Sequence, residues 1–376
     1  MPMKIDPFTI SADEKASKVL AINATALQAG ADFCTSALDL AREERLFANS
    51  HGSSIFQVRV RCHPSFEVTA IDKQSGRFAT RRSLAAPRGS GWEYIETYDF
   101  ADEATRAADQ ARRKLGAKSV DPGKYDLVID PTNLWLTIHE TVGHSTELDR
   151  ALGWEANFAG TSFVTHDQLD KLRFGSPLMT VTADRSQEGG LATVGFDDDG
   201  VCCTGAEFAI IENGVFRNYQ MAIGQAPFIG RERSNGCAYC DSPVAFPIQR
   251  MPNISLQPNP AATSLVDLMA DIKDGIYIIG DGSWSIDQQR DNFQFGGQLF
   301  YEIKNGQLGQ MLRDVAYQGR TLEFWNAMDG LGDRSSYFLG GSFYCGKGQP
   351  AQSAPVSHGA VLARFRQIAV LNTGTI

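Results

Sequence analysis

Histidine is scarce in this chain, with six among 376 residues. Any close pair of imidazoles therefore stands out. Long apolar runs are missing altogether: none approaches the ~20 residues that a membrane-crossing helix needs. The opening MPMKIDPFTISADEK also lacks the hydrophobic stretch of a secretory leader. These absences give the expectation of a cytoplasmic protein with no membrane partner. Basic clusters are lacking too. Thirty-five Lys and Arg face 44 Asp and Glu, for a formal net charge of −9, which argues against nucleic acid as a partner. The cysteines, Cys34, Cys62, Cys202, Cys203, Cys237, Cys240 and Cys345, are odd in number and scattered, and suit a reducing compartment better than a disulfide framework. Cys237 and Cys240 form a CxxC, but no second such pair or neighbouring histidine completes four zinc ligands. Small molecules and peptides remain as ligands.

An apolar content of 43% is enough to build real cores over this length. Residues 12–46 read as a helical stretch, with apolar positions from Val19 to Leu46. IFQVRVRC (55–62) then alternates as a strand does, and FEVTAID follows. After the Gly/Pro break AAPRGSGWEY, the segment FADEATRAADQARRKLGAKS predicts a helix starting behind Asp102 or Glu103. A helix–strands–helix domain over residues 1–120 is the result. A second domain, 121–376, begins with the short buried strand in VDPGKYDLVIDP and is mostly strand and turn thereafter. Its ENG (212–214) and KNG (304–306) sequences sit between alternating apolar residues, a hairpin signature. The fold class expected is α+β.

The chemistry concentrates in IHETVGHSTELDR, residues 138–150. Zinc peptidases commonly carry HExxH, with both histidines on one helix face; here the spacing is HExxxH. Positions five apart on a regular helix differ by ~140°, which would splay His139 from His144. One π-type turn absorbs the extra residue and restores a common face, and such turns recur at functional sites. Gly143 lacks a Cβ and should ease the distortion. A histidine pair of this kind can hold a metal, cap a helix or fill a polar core position, and spacing alone leaves all three open. Glu147 and Asp149 fit either hydrogen-bond acceptors behind the histidines or a solvated face. FDDDG (196–200) lacks the alternating ligands of a calcium loop and reads as a turn. His51, His63 and His166 read as surface or turn residues, and His358 as one that could reach the same site.

Taken together, KIDPFTISADEK, IHETVGHSTELD, TVTADRSQEGGLATVGFDDDGVCCTGAEFAIIENGVFRNYQM and FYCGKGQPAQSAPVSHG resemble, in one order, the TldD/PmbA family, long called modulators of DNA gyrase. The resemblance implies a metallopeptidase of the TldD type. It implies His139, His144 and Cys345 as metal ligands, Glu140 as the catalytic carboxylate, and a homodimer or a heterodimer with a TldE/PmbA-like subunit. KIDPFTIS matches a point well inside the usual family chain, so the family's N-terminal domain is not expected here. Two imidazoles and a thiolate suit Zn2+, with Fe2+ also accommodated. Lys347 and Tyr344, beside the third ligand, read as structural. The function expected is hydrolysis of unfolded or extended peptides. The alternatives are a metal-dependent hydrolase of a non-peptide bond and a non-catalytic regulatory or binding subunit.

Overall fold

The computed structural model describes residues 3–374. Helix α1 (Ala12–Gln28) starts at Ser11, whose hydroxyl accepts from the Glu14 amide. It stops near Gly30, which sits at φ 99°, a conformation that glycine alone adopts freely. The helix expected over residues 12–46 therefore ends at Gln28. Residues Phe33–Ala48 instead form β1, paired antiparallel along its whole length with β2 (Ser54–Ile71). ALDLAREERL has good helix formers, but Leu38 and Leu40 lie two apart and turn to one face once β2 supplies a partner. Tertiary pairing overrides local propensity here.

Strand β3 (Phe78–Arg82) completes the sheet. Helix α2 (Phe100–Leu115) packs across it, with Ala104, Ala107, Ala108 and Ala111 all buried against Phe66, Val68 and Ala70. Its cap is Asp99, three or four residues ahead of the expected start, and Gly116 ends it. Alanine at four of its six buried positions lets the helix approach the strands closely.

In the second unit, strands 274–286, 123–129, 363–372, 315–320 and 292–304 pair in succession, and the last pairs back onto the first. This closed ring holds the largest core, including Leu127, Ile276, Phe295, Tyr317 and Phe365. Both expected hairpins form, with Asn213–Gly214 and Asn305–Gly306 at positive φ in their turns. A second, six-stranded sheet ends in strand β4 (Phe338–Lys347), which has a neighbour on one side only, β5 (Gln352–Ala360). Helices and strands occur in both units, as the α+β class requires.

Helix α3 (Pro131–Ile138) leaves the ring. Asp130 caps it by accepting from the Thr132 amide, and Pro131 occupies the first turn, where its missing N–H costs nothing. Asn133 donates to the carbonyls of Gly280 and Gly296 at 2.8 Å each, and Thr137 meets the Tyr317 hydroxyl at 2.6 Å. These bonds pin the helix to the ring and fix the direction of the turn that follows.

Candidate metal centre

A π-helical turn spans His139–Gly143, and a 3-10 turn covers His144–Thr146. The longer spacing is thus accommodated as the sequence suggested, though Gly143 plays another part. Its neighbourhood is ordinary right-handed helix (φ −55°), while a Cβ there would lie 2.8 Å from the Met251 sulfur. Glycine is needed for close packing at this point. Trp325 Nε1 donates to the Thr141 hydroxyl at 2.9 Å and steadies the far side of the turn.

The turn brings the two imidazoles to ring centroids 4.6 Å apart. Cys345, on β4, completes the group: its Sγ lies 3.6 Å from His139 Nε2 and 3.8 Å from His144 Nε2. All three residues are buried, and one donor atom of each falls within 4.8 Å of the others. Zn–N and Zn–S bonds of ~2.05 and ~2.3 Å at a tetrahedral angle separate N from S by about 3.6 Å. The donor set therefore fits a zinc or ferrous ion, and these three side chains could hold one.

Each imidazole is oriented through its other nitrogen. His139 Nδ1 lies 2.7 Å from His358 Nε2, and the His358 ring stacks parallel to Trp135, 6.4 Å away. Gly340 makes room for that indole; a Cβ there would sit 2.2 Å from the ring. His144 Nδ1 lies 2.9 Å from Glu147 Oε2, which also accepts from Arg150 Nε at 3.0 Å. The Lys347 ammonium stands 3.2 Å from Glu147 Oε1 and 2.8 Å from Asp149 Oδ1. Glu147, Asp149, Arg150 and Lys347 are all buried. The solvated-face alternative for Glu147 and Asp149 is thereby corrected: the chain folds the residues after His144 back under the site.

The electrostatics favour metal-binding protonation states. Burial pushes His139 below its ordinary value and takes His144 down to about 4, so both are neutral at pH 7. Burial alone would raise the Cys345 thiol, but the Arg250 guanidinium and His144 outweigh it and hold the thiol below its usual value. Arg250 is wholly buried and donates to the Cys345 carbonyl. Burial also opposes the Glu147 charge, yet Lys347, His144 and Arg150 keep its carboxyl far below the usual range.

Glu140 is buried beside the ligand group, and its Oε2 accepts from Arg290 at 2.7 Å. Arg290 itself holds a left-handed backbone (φ 67°), uncommon for this residue type and frequent where geometry serves a site. A cavity of about 930 Å³ opens over the group. Its walls include Thr35 and Asp39 from β1, Trp284, and residues 340–346 of β4. His63, read from the sequence as a surface residue, lies on this wall in β2, and Tyr344 is 76% exposed at its rim. Lys347 is structural, as expected. Sequence reasoning missed Arg290, Arg250 and Arg150. The first two lie over a hundred residues from the helix; Arg150, within the quoted stretch, was legible as the only basic residue after His144. Asp197 accepts from the amides of Asp199 and Val201, so FDDDG is a turn.

The model of the PmbA/TldA metallopeptidase C-terminal domain matches residues 122–368, and that of the central domain matches residues 5–115. A metalloprotease of Methanocaldococcus jannaschii is 31% identical over 85% of this chain and 66% of its own length. One from Methanothermobacter thermautotrophicus is 30% identical over 87% and 67%, and a zinc metalloprotease TldD homolog of Saccharolobus solfataricus is 27% identical over 73% and 58%. The chain thus spans about two thirds or less of the length of these relatives. Among solved structures, a modulator of DNA gyrase from Thermotoga maritima superposes with a TM-score of 0.76 at 17% identity, covering 99% of this chain and 77% of that one. TldE from Thermococcus kodakarensis gives 0.72 at 15%, covering 96% and 74%. At such identities these structures speak for the fold, whereas the family model covering the second unit and the relative at 31% speak for descent: the chain belongs to the TldD/PmbA family of metallopeptidases.

Proposed function

We propose that this chain is a metal-dependent peptidase that hydrolyses extended peptides, with His139, His144 and Cys345 as the ligands of Zn2+ or Fe2+ and Glu140 as the general base. The observation that carries the reading is the meeting of an HExxxH turn and a cysteine 206 residues away from His139, all buried, beneath one open cleft. When bound, the metal lowers the pKa of a water and polarises a peptide carbonyl. Glu140 takes the proton of the attacking water and passes it to the departing amine. Arg290 engages only one of its oxygens among the described residues, which orients the carboxylate and leaves the other oxygen for the proton. His358 and Glu147 keep both ligand rings turned with Nε2 toward Cys345.

The cleft favours an extended substrate. Strand β4 is the edge of its sheet, carries Cys345 and supplies residues 340–346 to the cleft wall. A peptide that adds to this edge binds through backbone hydrogen bonds, with little demand on sequence. Unfolded peptides are then cut and compact domains spared. The same reading places the chain in the cytoplasm, where its seven cysteines stay reduced, and pairs it with a like or TldE-related subunit. Activity per chain should rise when such a subunit is added, and activity independent of concentration would remove that part.

Glu140→Gln is the test of mechanism. The amide keeps the shape and cannot accept the proton, so metal content should stay near normal while turnover of an unfolded peptide falls ~100-fold or more. Undiminished turnover in the metal-loaded variant would end the proposal.

A further inference from the structure

A second cavity of about 630 Å³ lies away from the metal centre, walled by residues 57–61 of β2, the segment around Arg88 and the glycine-rich turn 188–195. That volume is in the usual range for small-molecule sites. Its lining is unevenly charged. Arg59 and Arg61 share Glu43, at 2.8 and 2.9 Å. Arg45, behind them, pairs with Glu43 and Asp198, so three guanidiniums stand against two carboxylates. Arg88 has no carboxylate partner among the described residues; it donates to the Leu339 carbonyl and lies 5.7 Å from the Phe338 ring. The two acidic residues on the wall do not offset this excess. The Glu93 carboxylate is taken up by the amides of Ile5 and Gly91, at 3.0 Å each, and Glu188 is exposed.

Further features mark this wall. Arg59 Nε and one terminal nitrogen of Arg61 are sealed from solvent with no hydrogen-bond partner among the described residues, so the positive charge behind this wall is incompletely compensated. Buried cations are normally paired and bonded. Burial draws the Arg88 guanidinium below its ordinary value, and burial with its neighbours Arg61 and Arg45 takes Arg59 down to about 10. In addition, the free edge of β2 is bridged at Cys62 by Arg88 before β3 joins it at Glu67, and the five residues just ahead of that bridge, 57–61, line the cavity.

We propose that this cavity is a second ligand site, which takes a small molecule carrying an oxyanion, carboxylate or phosphate, between Arg88 and the Arg59–Arg61 pair. The planar guanidinium fork matches both groups with paired, charge-assisted hydrogen bonds. Val58, Val60 and Tyr94 supply apolar wall for the remainder of the molecule.

Calorimetric titration of the metal-loaded full chain with inorganic phosphate, and separately with succinate, tests this at constant chloride. Saturable one-site binding with a Kd of about 1 mM or tighter is expected for at least one probe, and the tighter arm identifies the group. Arg88→Gln and Arg61→Gln should each weaken binding about tenfold or more, whereas Arg77→Gln, at an exposed turn elsewhere, leaves it unchanged. Circular dichroism checks that each variant is folded. Val58→Trp keeps every charge and obstructs the cavity from a half-exposed strand position, so it should abolish binding even if an arginine variant fails to fold. Two results would overturn the site: no saturable heat with either probe, or binding that Arg88→Gln and Val58→Trp leave intact.

Discussion

The two histidines of the candidate metal centre sit side by side, yet their surroundings are of opposite kinds. His139 leans on a neutral group, His358, wedged between itself and Trp135. His144 leans on Glu147, an anion inside a buried cluster with Arg150, Lys347 and Asp149. Both arrangements orient an imidazole. They differ in what the fold must supply: shape on the first side, balanced charge on the second. A buried ion network is costly unless complete, so damage on the His144 side should spread to the whole domain, and damage on the His139 side should stay local.

The largest effect is expected from Lys347→Met. Removing the ammonium leaves Glu147 and Asp149 buried with too little positive charge, and breaking such a pair costs about 3–5 kcal/mol. Urea unfolding should show a loss of that order; a loss below about 1 kcal/mol would mean the cluster is not under electrostatic tension.

Next is the pH dependence of the metal-depleted protein. Burial holds the folded pKa of His144 at about 4, below the ordinary histidine value of ~6.5. Between these values the unfolded chain binds a proton that the folded chain refuses, so stability is lost as pH falls through that window. The loss from this group alone is roughly 3 kcal/mol. Urea midpoints of chelator-treated protein should fall on acidification, and fall less in His144→Asn. Equal slopes for the two proteins would show that His144 does not carry the effect.

The smallest effects sharpen the contrast most. Glu147→Gln should weaken metal binding toward the upper end of a ~10–100-fold range, and His358→Gln, which keeps a neutral acceptor, toward the lower end. Competition with a chromophoric chelator gives both constants. If His358→Gln is the more damaging, the distinction between the two sides fails.

Much of this centre was legible in the sequence. HExxxH called for a π-type turn on geometric grounds, and one lies at His139–Gly143. Cys345 was reached only through resemblance, because nothing local links a position on β4 to a helix 206 residues earlier. Charge partners were harder still. Arg290, Arg250 and Lys347 become informative once the strands bring them under the helix, and a lone arginine in a strand-rich sequence carries no signal of burial. The fold followed the same rule. Hairpins with Asn-Gly turns were readable because their chemistry is local, and β1 was misread as helix because its partner, β2, decides its conformation.

The central claim, that His139, His144 and Cys345 form one metal centre, is tested most directly by X-ray absorption at the metal edge on purified wild type and Cys345→Ser, with metal content measured on the same folded samples. The account predicts one sulfur and two imidazole nitrogens around the metal in wild type, and loss of the sulfur together with most of the metal in the variant. Full metal occupancy with an unchanged spectrum in Cys345→Ser would contradict it.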